Sequence, residues 1–374
     1  MDMTEPSGNA LFDLAVIGGG PAGTAAAIIA ARAGSRVLLL ERGRLPRQRV
    51  CGEFVSAESL ALLASLLSGT AAELLSCAPR IARAWLFFDG HAISAPVDPP
   101  AASIARFDLD AALWLAAKQA GVDARLETTV QRISGDGPFT LSTGAGEFRA
   151  QALVNASGRW SNLRQQDGTQ TAEQKWLGIK SHYAEKNPPA SVDLYFFEGG
   201  YCGVQPVAQM GASENGHRVN ACALVRSDVA HTLAEVFALH PDLRERARHW
   251  QPLMEPVRTS PLVFGEPQAV RGAVLQAGDA AGFVDPFVGG GISLALRGGT
   301  LAAQCLASFF ARQTSLPAAA TAYAQAYRRQ LLPVFRTSSN LRHLLGLPRP
   351  VRRAVGRLLE TAPAVSRLLV RMTR

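Results

Sequence analysis

The sequence shows no paired cysteines, no visible signal peptide, no repeats and no aromatic-studded basic surface, and each lack narrows the function expected. Its 5 cysteines, Cys51, Cys77, Cys202, Cys222 and Cys305, are scattered, odd in number and never spaced as CxxC, which excludes a disulfide framework and a structural zinc site. No basic stretch leads into an apolar core after Met1, so a cytoplasmic protein with reduced thiols is expected. There is no internal repeat and no low-complexity linker. The 18 residues from Leu14 to Ala31 carry no charge, but four glycines and a proline crowd them, and a membrane span of that length needs better helix formers. The net charge of +8 does not point to nucleic acid. From Leu341 to Arg374 eight arginines stand against the single Glu360, so the excess is a feature of the tail, without aromatic interleaving or a recognition-helix pattern.

On a helical wheel Arg352, Arg353, Arg357, Arg367 and Arg371 fall in one arc and Val351, Val355, Leu358, Val365 and Leu369 fall opposite, with Pro363 interrupting the phase. The tail reads either as an amphipathic helix docked on its own protein or as a peripheral contact with anionic lipid. At 374 residues, 48% of them hydrophobic, the chain is long enough for two domains.

What is present is concentrated between Phe12 and Glu41, which read as strand, glycine turn, helix and strand. Leu14 to Ile17 run into Gly18-Gly19-Gly20-Pro21-Ala22-Gly23, a GxGxxG turn, and small side chains follow from Ala22 to Ala33. Gly18 permits the tight turn, Gly20 lets the backbone approach a pyrophosphate, and Gly23 lets the helix lie close to the strand. The phosphates would sit on the free N–H groups of the helix start. Gly34 closes the helix, Val37 to Leu40 form a second buried strand, and Glu41, 23 residues after Gly18, suits a ribose hydroxyl pair.

Beyond Glu41 a basic loop leads through Cys51-Gly52 to a helix from about Ala57. The Cys-Gly pair is open to two readings, a structural one and one in which Arg47 and Arg49 lower a thiol pKa or meet phosphate. Asp89-Gly90 between two apolar runs signals a hairpin, and Ile104 to Ala120 reads as a helix closed by Gly121. A strand is expected over Leu126 to Ile133, a hairpin over Phe139 to Ala150, and a buried strand over Ala152 to Ala156 before Ser157-Gly158-Arg159. Between Trp176 and Val225 the pattern alternates, with Tyr195, Phe196, Phe197 and Tyr201 supplying bulk for a flat or greasy ligand. Val274 to Ala277 form one more buried strand ending in Gly278-Asp279, followed by a glycine-rich loop, a helix from Ile292 to Phe310, another from Ala318 to Leu332 and a C-terminal segment. His182, His217 and His231 have no partner at a telling spacing and read as surface or packing residues.

The expected class is α/β, a discontinuous Rossmann-like nucleotide domain (1–78, 101–170 and 258–315) with an inserted antiparallel-sheet substrate domain (79–100 and 171–257) and C-terminal helices (316–374).

Three ordered motifs carry a resemblance: Gly18 to Gly23, Ala156-Ser157-Gly158, and Gly278-Asp279-Ala280-Ala281-Gly282-Phe283-Val284-Asp285-Pro286 followed by Gly289-Gly290-Gly291-Ile292. Together they resemble the FAD-dependent oxidoreductases of the p-hydroxybenzoate hydroxylase fold over roughly residues 12 to 310. The segments Pro46 to Gly52 and Asp285-Pro286 to Ile292 are most similar to the geranylgeranyl reductase and FixC-like branch. The resemblance implies FAD, contacted by Gly18, Gly20, Pro21, Ala22, Gly23, Glu41, Arg42, Val50, Cys51, Arg106, Val130, Ala156, Gly158, Gly278, Asp279, Pro286, Gly289, Gly290, Gly291 and Ile292. Glu41 would take the adenosine ribose, Asp279 the ribityl chain, and the helix opened by Gly289 to Gly291 would turn its positive end to the flavin.

Cys51, on a loop that the resemblance places beside the isoalloxazine, and Tyr201 are the catalytic candidates. The branch's Tyr-x-Trp-x-Phe-Pro motif is only partly kept, as Gly200-Tyr201-Cys202-Gly203-Val204-Gln205-Pro206 retains Tyr and Pro and loses Trp and Phe. The Trp-x-Trp-x-Ile-Pro motif of flavin halogenases is absent, and no lysine follows close after Gly52-Glu53. The favoured expectation is a monooxygenase or oxidase acting on a lipophilic aromatic or polyketide-type small molecule in biosynthesis. Its alternatives are an ene reductase on an isoprenoid, a halogenase, and a flavin-binding interaction protein without turnover. With no second dinucleotide motif, NADPH or NADH would dock transiently, or electrons would come from a protein partner.

Overall fold

The computed structural model describes residues 11–345 apart from 68, 70–72, 160–174, 209, 211–217, 263 and 285–288. Pro286, His217 and the arginine-rich tail therefore lie outside the described residues.

Two sheets carry the fold. In the first, β17 (Val274–Gln276), β9 (Gly146–Asn155), β1 (Leu11–Ile17), β2 (Val37–Leu40) and β6 (Asp123–Arg125) lie parallel in that order. β16 (Val270–Arg271) adds an antiparallel edge, and β7 (Val130–Ser134) and β8 (Phe139–Thr143) form a meander with the first half of β9. All four residues of β2 and most of β1 are buried, as expected of parallel strands covered on both faces. α1 (Pro21–Arg32) and α7 (Gly291–Phe310) lie against each other, and α4 (Arg106–Gln119) lies against α1. The close approach of α1 and α7 needs glycine: a Cβ on Gly299 would collide with the Ala22 carbonyl oxygen. α8 (Leu316–Gln330) and α9 (Leu332–Leu345) follow, and the buried Tyr323 hydroxyl donates to the Gln276 carbonyl at 2.7 Å, fixing α8 to the end of β17.

The second sheet runs β14 (Gln251–Pro252), β10 (Trp176–Ala184), β13 (Arg218–Arg226), β12 (Gly200–Pro206), β11 (Ser191–Phe197), β4 (Arg80–Phe88), β5 (His91–Ser103) and β3 (Phe54–Val55), with β15 (Val257–Leu262) also on β10. All its pairs are antiparallel except β11 with β4, which come from separate stretches of chain. Asp89 (φ 49°) and Gly90 (φ 86°) make the β4–β5 turn, both left-handed as an Asp-Gly hairpin requires. α2 (Ala57–Leu66) and α3 (Glu73–Cys77) bridge from β3 to β4.

The period of two assigns the sheet's faces. Leu177, Ile179, Tyr183, Tyr195, Cys202, Val204 and Val225 face α5 (Leu233–Ala238) and α6 (Pro241–Arg246). Phe196, Tyr201, Leu224, Lys180 and His182 alternate with them and face the other way. The four aromatic residues grouped from sequence therefore divide. Tyr195 and Phe197 belong to the helix-covered core, where the Tyr195 hydroxyl accepts from Arg246 at 3.1 Å, and only Phe196 and Tyr201 remain for a ligand.

The strand expected over Leu126 to Ile133 begins only at Val130. The preceding residues are used to close the end of β2, with Thr128 N–H donating to the Glu41 carbonyl at 3.0 Å and Glu127 N–H to that of Gly43 at 3.3 Å.

Candidate active site

β1 ends at Ile17 and α1 begins with Pro21, so three glycines make the turn between them. Gly18 has φ 107°, and a Cβ there would collide with the Ala156 carbonyl, so both backbone and space demand glycine. A Cβ on Gly20 would meet only Arg106 Nη2, at 4.0 Å. The approach to the α1 N-terminus is thus open, bounded by a guanidinium, and no side chain caps it. Glu41 lies over the turn, its buried carboxylate accepting from Gly19 N–H and Arg47 Nη2 at 2.8 Å each and from Gly43 N–H at 2.9 Å.

Positive charge exceeds negative here. Arg106 grips Asp110 with two bonds of 2.9 and 2.8 Å; burial pulls its pKa down, but Asp110 and the Cys51 sulfur more than reverse that and raise it. Arg49 stands 4.0 Å from Glu41 and 3.9 Å from Asp110, and burial, then repulsion by Arg106, brings it down to about 10. Arg47, Arg49 and Arg106 so face two carboxylates, and Arg47 Nε and Arg49 Nε are buried with no hydrogen-bond partner among the described residues. Directed donors, surplus charge and an uncapped helix start are the chemistry a pyrophosphate needs, and Glu41 supplies the acceptor for a ribose. The site fits FAD.

Residues 47 to 53 run as a strap along the seam between the sheets. Arg47 and Arg49 turn to Glu41 and Asp110. Gln48 accepts from Lys180 Nζ on β10 at 3.1 Å, Val50 touches Gly178 on the same strand, and Asn220 of β13 donates to the Cys51 carbonyl at 3.1 Å.

Glu53 ends the strap wholly buried. Its Oε1 accepts from Lys180 Nζ and, at 2.8 Å, from the Arg106 backbone N–H; its Oε2 lies 2.8 Å from His182 Nε2. Burial alone would raise its pKa, but Lys180 and then His182 more than offset that and hold it down at about 2, so Glu53 is a carboxylate and His182 Nε2 donates to it. Its backbone is left-handed at φ 60°, a strain of about 1–2 kcal/mol for a residue with a Cβ. That geometry lets Glu53 N–H reach Cys51 Sγ at 3.3 Å and the Glu53 carbonyl accept from Ile104 at 2.9 Å.

The third corner lies beyond β17. Gly278 turns at φ 60°, and Asp279 comes within 3.4 Å of Arg159 Nε. The Arg159 guanidinium lies 4.2 Å over the Phe283 ring. Phe283 opens onto an apolar patch: its ring is 5.3 Å from Phe264, which is 6.5 Å from Trp176, and the cluster includes Tyr201, Leu224 and Leu262. α7 starts beside this with Gly290 at its cap, bearing no side-chain bond, and Ser293 Oγ lies 2.9 Å from Ser56 Oγ.

The residues expected to touch a cofactor are placed as follows. Gly18, Gly20, Pro21, Ala22, Gly23, Glu41, Arg106 and Ala156 surround the turn, and Gly278 abuts Ala22. Gly158 (φ 79°) leads into Arg159, and Asp279, Gly289, Gly290, Gly291 and Ile292 border the start of α7. Cys51 faces Arg106 and Arg159 rather than the two arginines beside it in sequence. Val50 faces β10, Arg42 is exposed at the rim, and Val130 is buried at the start of β7. Tyr201 belongs to the apolar patch.

Glu53, Lys180 and His182 were missed as a group. They stand 127 and 129 residues apart, and the one local signal was a Lys-x-His alternation in a strand. His182, expected as a surface or packing residue, is fully buried and paired with Glu53, whereas His231 is exposed. No lysine stands near Glu53 in sequence, and its ion-pair partner Lys180 comes from β10.

Among the described residues no helix is long and apolar enough to cross a membrane. The chain is 26% identical over 339 residues to Conditioned medium factor receptor 1 of Dictyostelium discoideum, covering 80% of this chain and 64% of that one, so it spans just under two thirds of that relative's length. It is 28% identical over 330 residues to Menaquinone reductase of Mycobacterium tuberculosis, covering 79% of this chain and 76% of that one. The flavin-dependent brominase Bmp2 superposes with a TM-score of 0.77 over 97% of this chain and 93% of its own, at 18% identity, a likeness of fold alone. A family model described as FAD binding domain matches residues 12–331, so the chain belongs to that family of FAD-dependent oxidoreductases.

Proposed function

We propose that the protein is a monooxygenase or oxidase of a lipophilic aromatic small molecule, with electrons from NADPH or NADH docking transiently. Bound FAD supplies the two-electron chemistry and, once reduced, the reaction with oxygen. The observation that carries this reading is the division of labour on the second sheet. A ring-lined patch of Trp176, Phe196 and Tyr201 on the sheet, with Phe264 and Phe283 against them, offers a dry surface, while the acid–base groups further along β10, Lys180 and His182, are closed into a buried cluster with an ionised Glu53. Oxygen transfer to an electron-rich ring asks for positioning and exclusion of water. Alkene reduction asks in addition for a proton donor, and Glu53 at about 2 holds no proton to give.

A second reading, reduction of an isoprenoid-bearing substrate, is favoured by the 28% identity with Menaquinone reductase. Cys51 or Tyr201 would then be the donor. Halogenation is disfavoured by the missing Trp-x-Trp-x-Ile-Pro motif. One experiment separates the first two: reduce the holoenzyme without oxygen, add hexylresorcinol or a menaquinone, then admit labelled oxygen. Label in the product is expected; a saturated product formed before oxygen enters would reverse the choice.

A further inference from the structure

Arg159 is a charged side chain in apolar surroundings. It follows Gly158 just beyond β9, with its side chain only 16% exposed and its guanidinium stacked 4.2 Å over Phe283. Burial lowers its pKa, and Asp279 partly restores it. The Asp279 carboxylate approaches the Nε edge at 3.4 Å, while Nη1 is buried and has no hydrogen-bond partner among the described residues. A charged donor left unmade in a desolvated place is unfavourable unless something else completes it. Phe283 against the guanidinium and Asp279 at its Nε edge restrict how that group can turn, so the unmade donor is held in place. The same ring contacts Phe264 and joins the cluster of Tyr201 and Leu224. A ligand lying on that patch would bring its polar end within reach of a preset guanidinium.

We propose that Arg159 anchors an acidic oxygen, a phenolate or a carboxylate, carried by an otherwise apolar substrate. This rests on the reading that the patch holds the substrate. Asp279 holds one edge of the guanidinium and Phe283 one face, leaving the Nη edge for the substrate oxygen, a charge-assisted bond in a water-poor site. Arg159 is so a specificity residue that sets which end of an amphipathic molecule enters first.

The test is equilibrium binding to the oxidised holoenzyme, read from perturbation of the flavin absorbance, with two matched pairs of probes: hexylresorcinol and its dimethyl ether, and hexylbenzoate and its methyl ester. The wild type is expected to bind the free phenol or the free acid about tenfold or more tighter than its capped partner, and the pair that discriminates identifies the oxygen. Arg159→Gln is expected to bring that ratio within about twofold, with the capped probe and the FAD content unchanged. Should that variant fail to fold, Arg159→Lys, which keeps charge but not the stacked fork, is expected to cut the ratio by about threefold or more. The proposal is overturned if no probe perturbs the flavin, if the wild type discriminates in neither pair, if the folded variant keeps the ratio, or if it loses FAD, which would assign Nη1 to the cofactor. No turnover is involved, so discrimination without oxygen incorporation rejects the monooxygenase reading alone, and incorporation without discrimination rejects the anchor alone.

Discussion

Lys180→Met is the sharpest perturbation of the buried cluster. Glu53 sits at about 2 in the folded chain, against about 4.3 when unfolded, which corresponds to about 3 kcal/mol favouring the folded carboxylate. Because the folded value is the lower one, this contribution is complete above about pH 4.3 and fades as pH falls towards 2. Lys180 is the largest of the favourable causes, and without it the carboxylate keeps its burial penalty. A loss of about 3 kcal/mol at pH 7 is expected, in line with the cost of breaking other buried ion pairs. An unfolding entropy of about 2.1 cal/mol/K per residue makes that a fall in Tm of about 4 °C for a chain of 374 residues. Thermal unfolding by tryptophan fluorescence, with FAD in excess, should show this gap at pH 7 and a narrower one at pH 3. Glu53→Gln combined with Lys180→Met removes both charges and should return to within about 1 kcal/mol of wild type. A single variant as stable as wild type at pH 7, or a double variant no better than the single, would refute the reasoning.

Gly299→Ala drives a methyl against the Ala22 carbonyl, so overpacking of about 1–3 kcal/mol should lower Tm and, because Ala22 belongs to the glycine turn, the flavin-to-protein absorbance ratio. Arg49→Met should raise the FAD dissociation constant and flatten its dependence on salt; an unchanged salt slope would remove Arg49 from the phosphate site. Cys51→Ser should retain FAD yet alter turnover or product, and identical kinetics and product would make Cys51 a packing residue. Removing residues after Leu347 should abolish salt-sensitive binding to anionic liposomes, to which each arginine adds about 1 kcal/mol, while sparing the flavin spectrum; equal binding by both forms would dismiss the membrane contact.

What sequence disclosed was what is fixed by neighbours in the chain. Gly18 at φ 107° and the Asp89-Gly90 turn are dictated by backbone sterics within a few residues, and the small side chains of α1 announce a helix that others approach closely. Pairings across long separations left no such mark. β11 joins β4 in parallel although the 102 residues 89–190 lie between the last residue of β4, Phe88, and the first of β11, Ser191. The alternation Tyr195-Phe196-Phe197 was visible, but which parity faces the ligand depends on α5 and α6, which follow later in the chain. Glu53 was hidden most deeply, since its partners on β10 are distant in sequence and its left-handed backbone is adopted by a residue type that gives no hint of it.

The strap of residues 47 to 53 obeys a parity. Arg47, Arg49 and the Cys51 sulfur turn to the side of the first sheet, Gln48 and Val50 to the second sheet, and the left-handed step at Glu53 sends an odd-numbered side chain across to Lys180. Seven residues thus keep time for both halves of the molecule. A substitution disturbs one side at a time, but losing a single residue would carry the arginines towards Lys180, a like-charge repulsion, and leave Glu41 and Asp110 facing the uncharged Gln48 and Val50, so that attraction is lost on both sides at once. The length of this segment therefore matters to the contacts on both sheets more than any one of its side chains does.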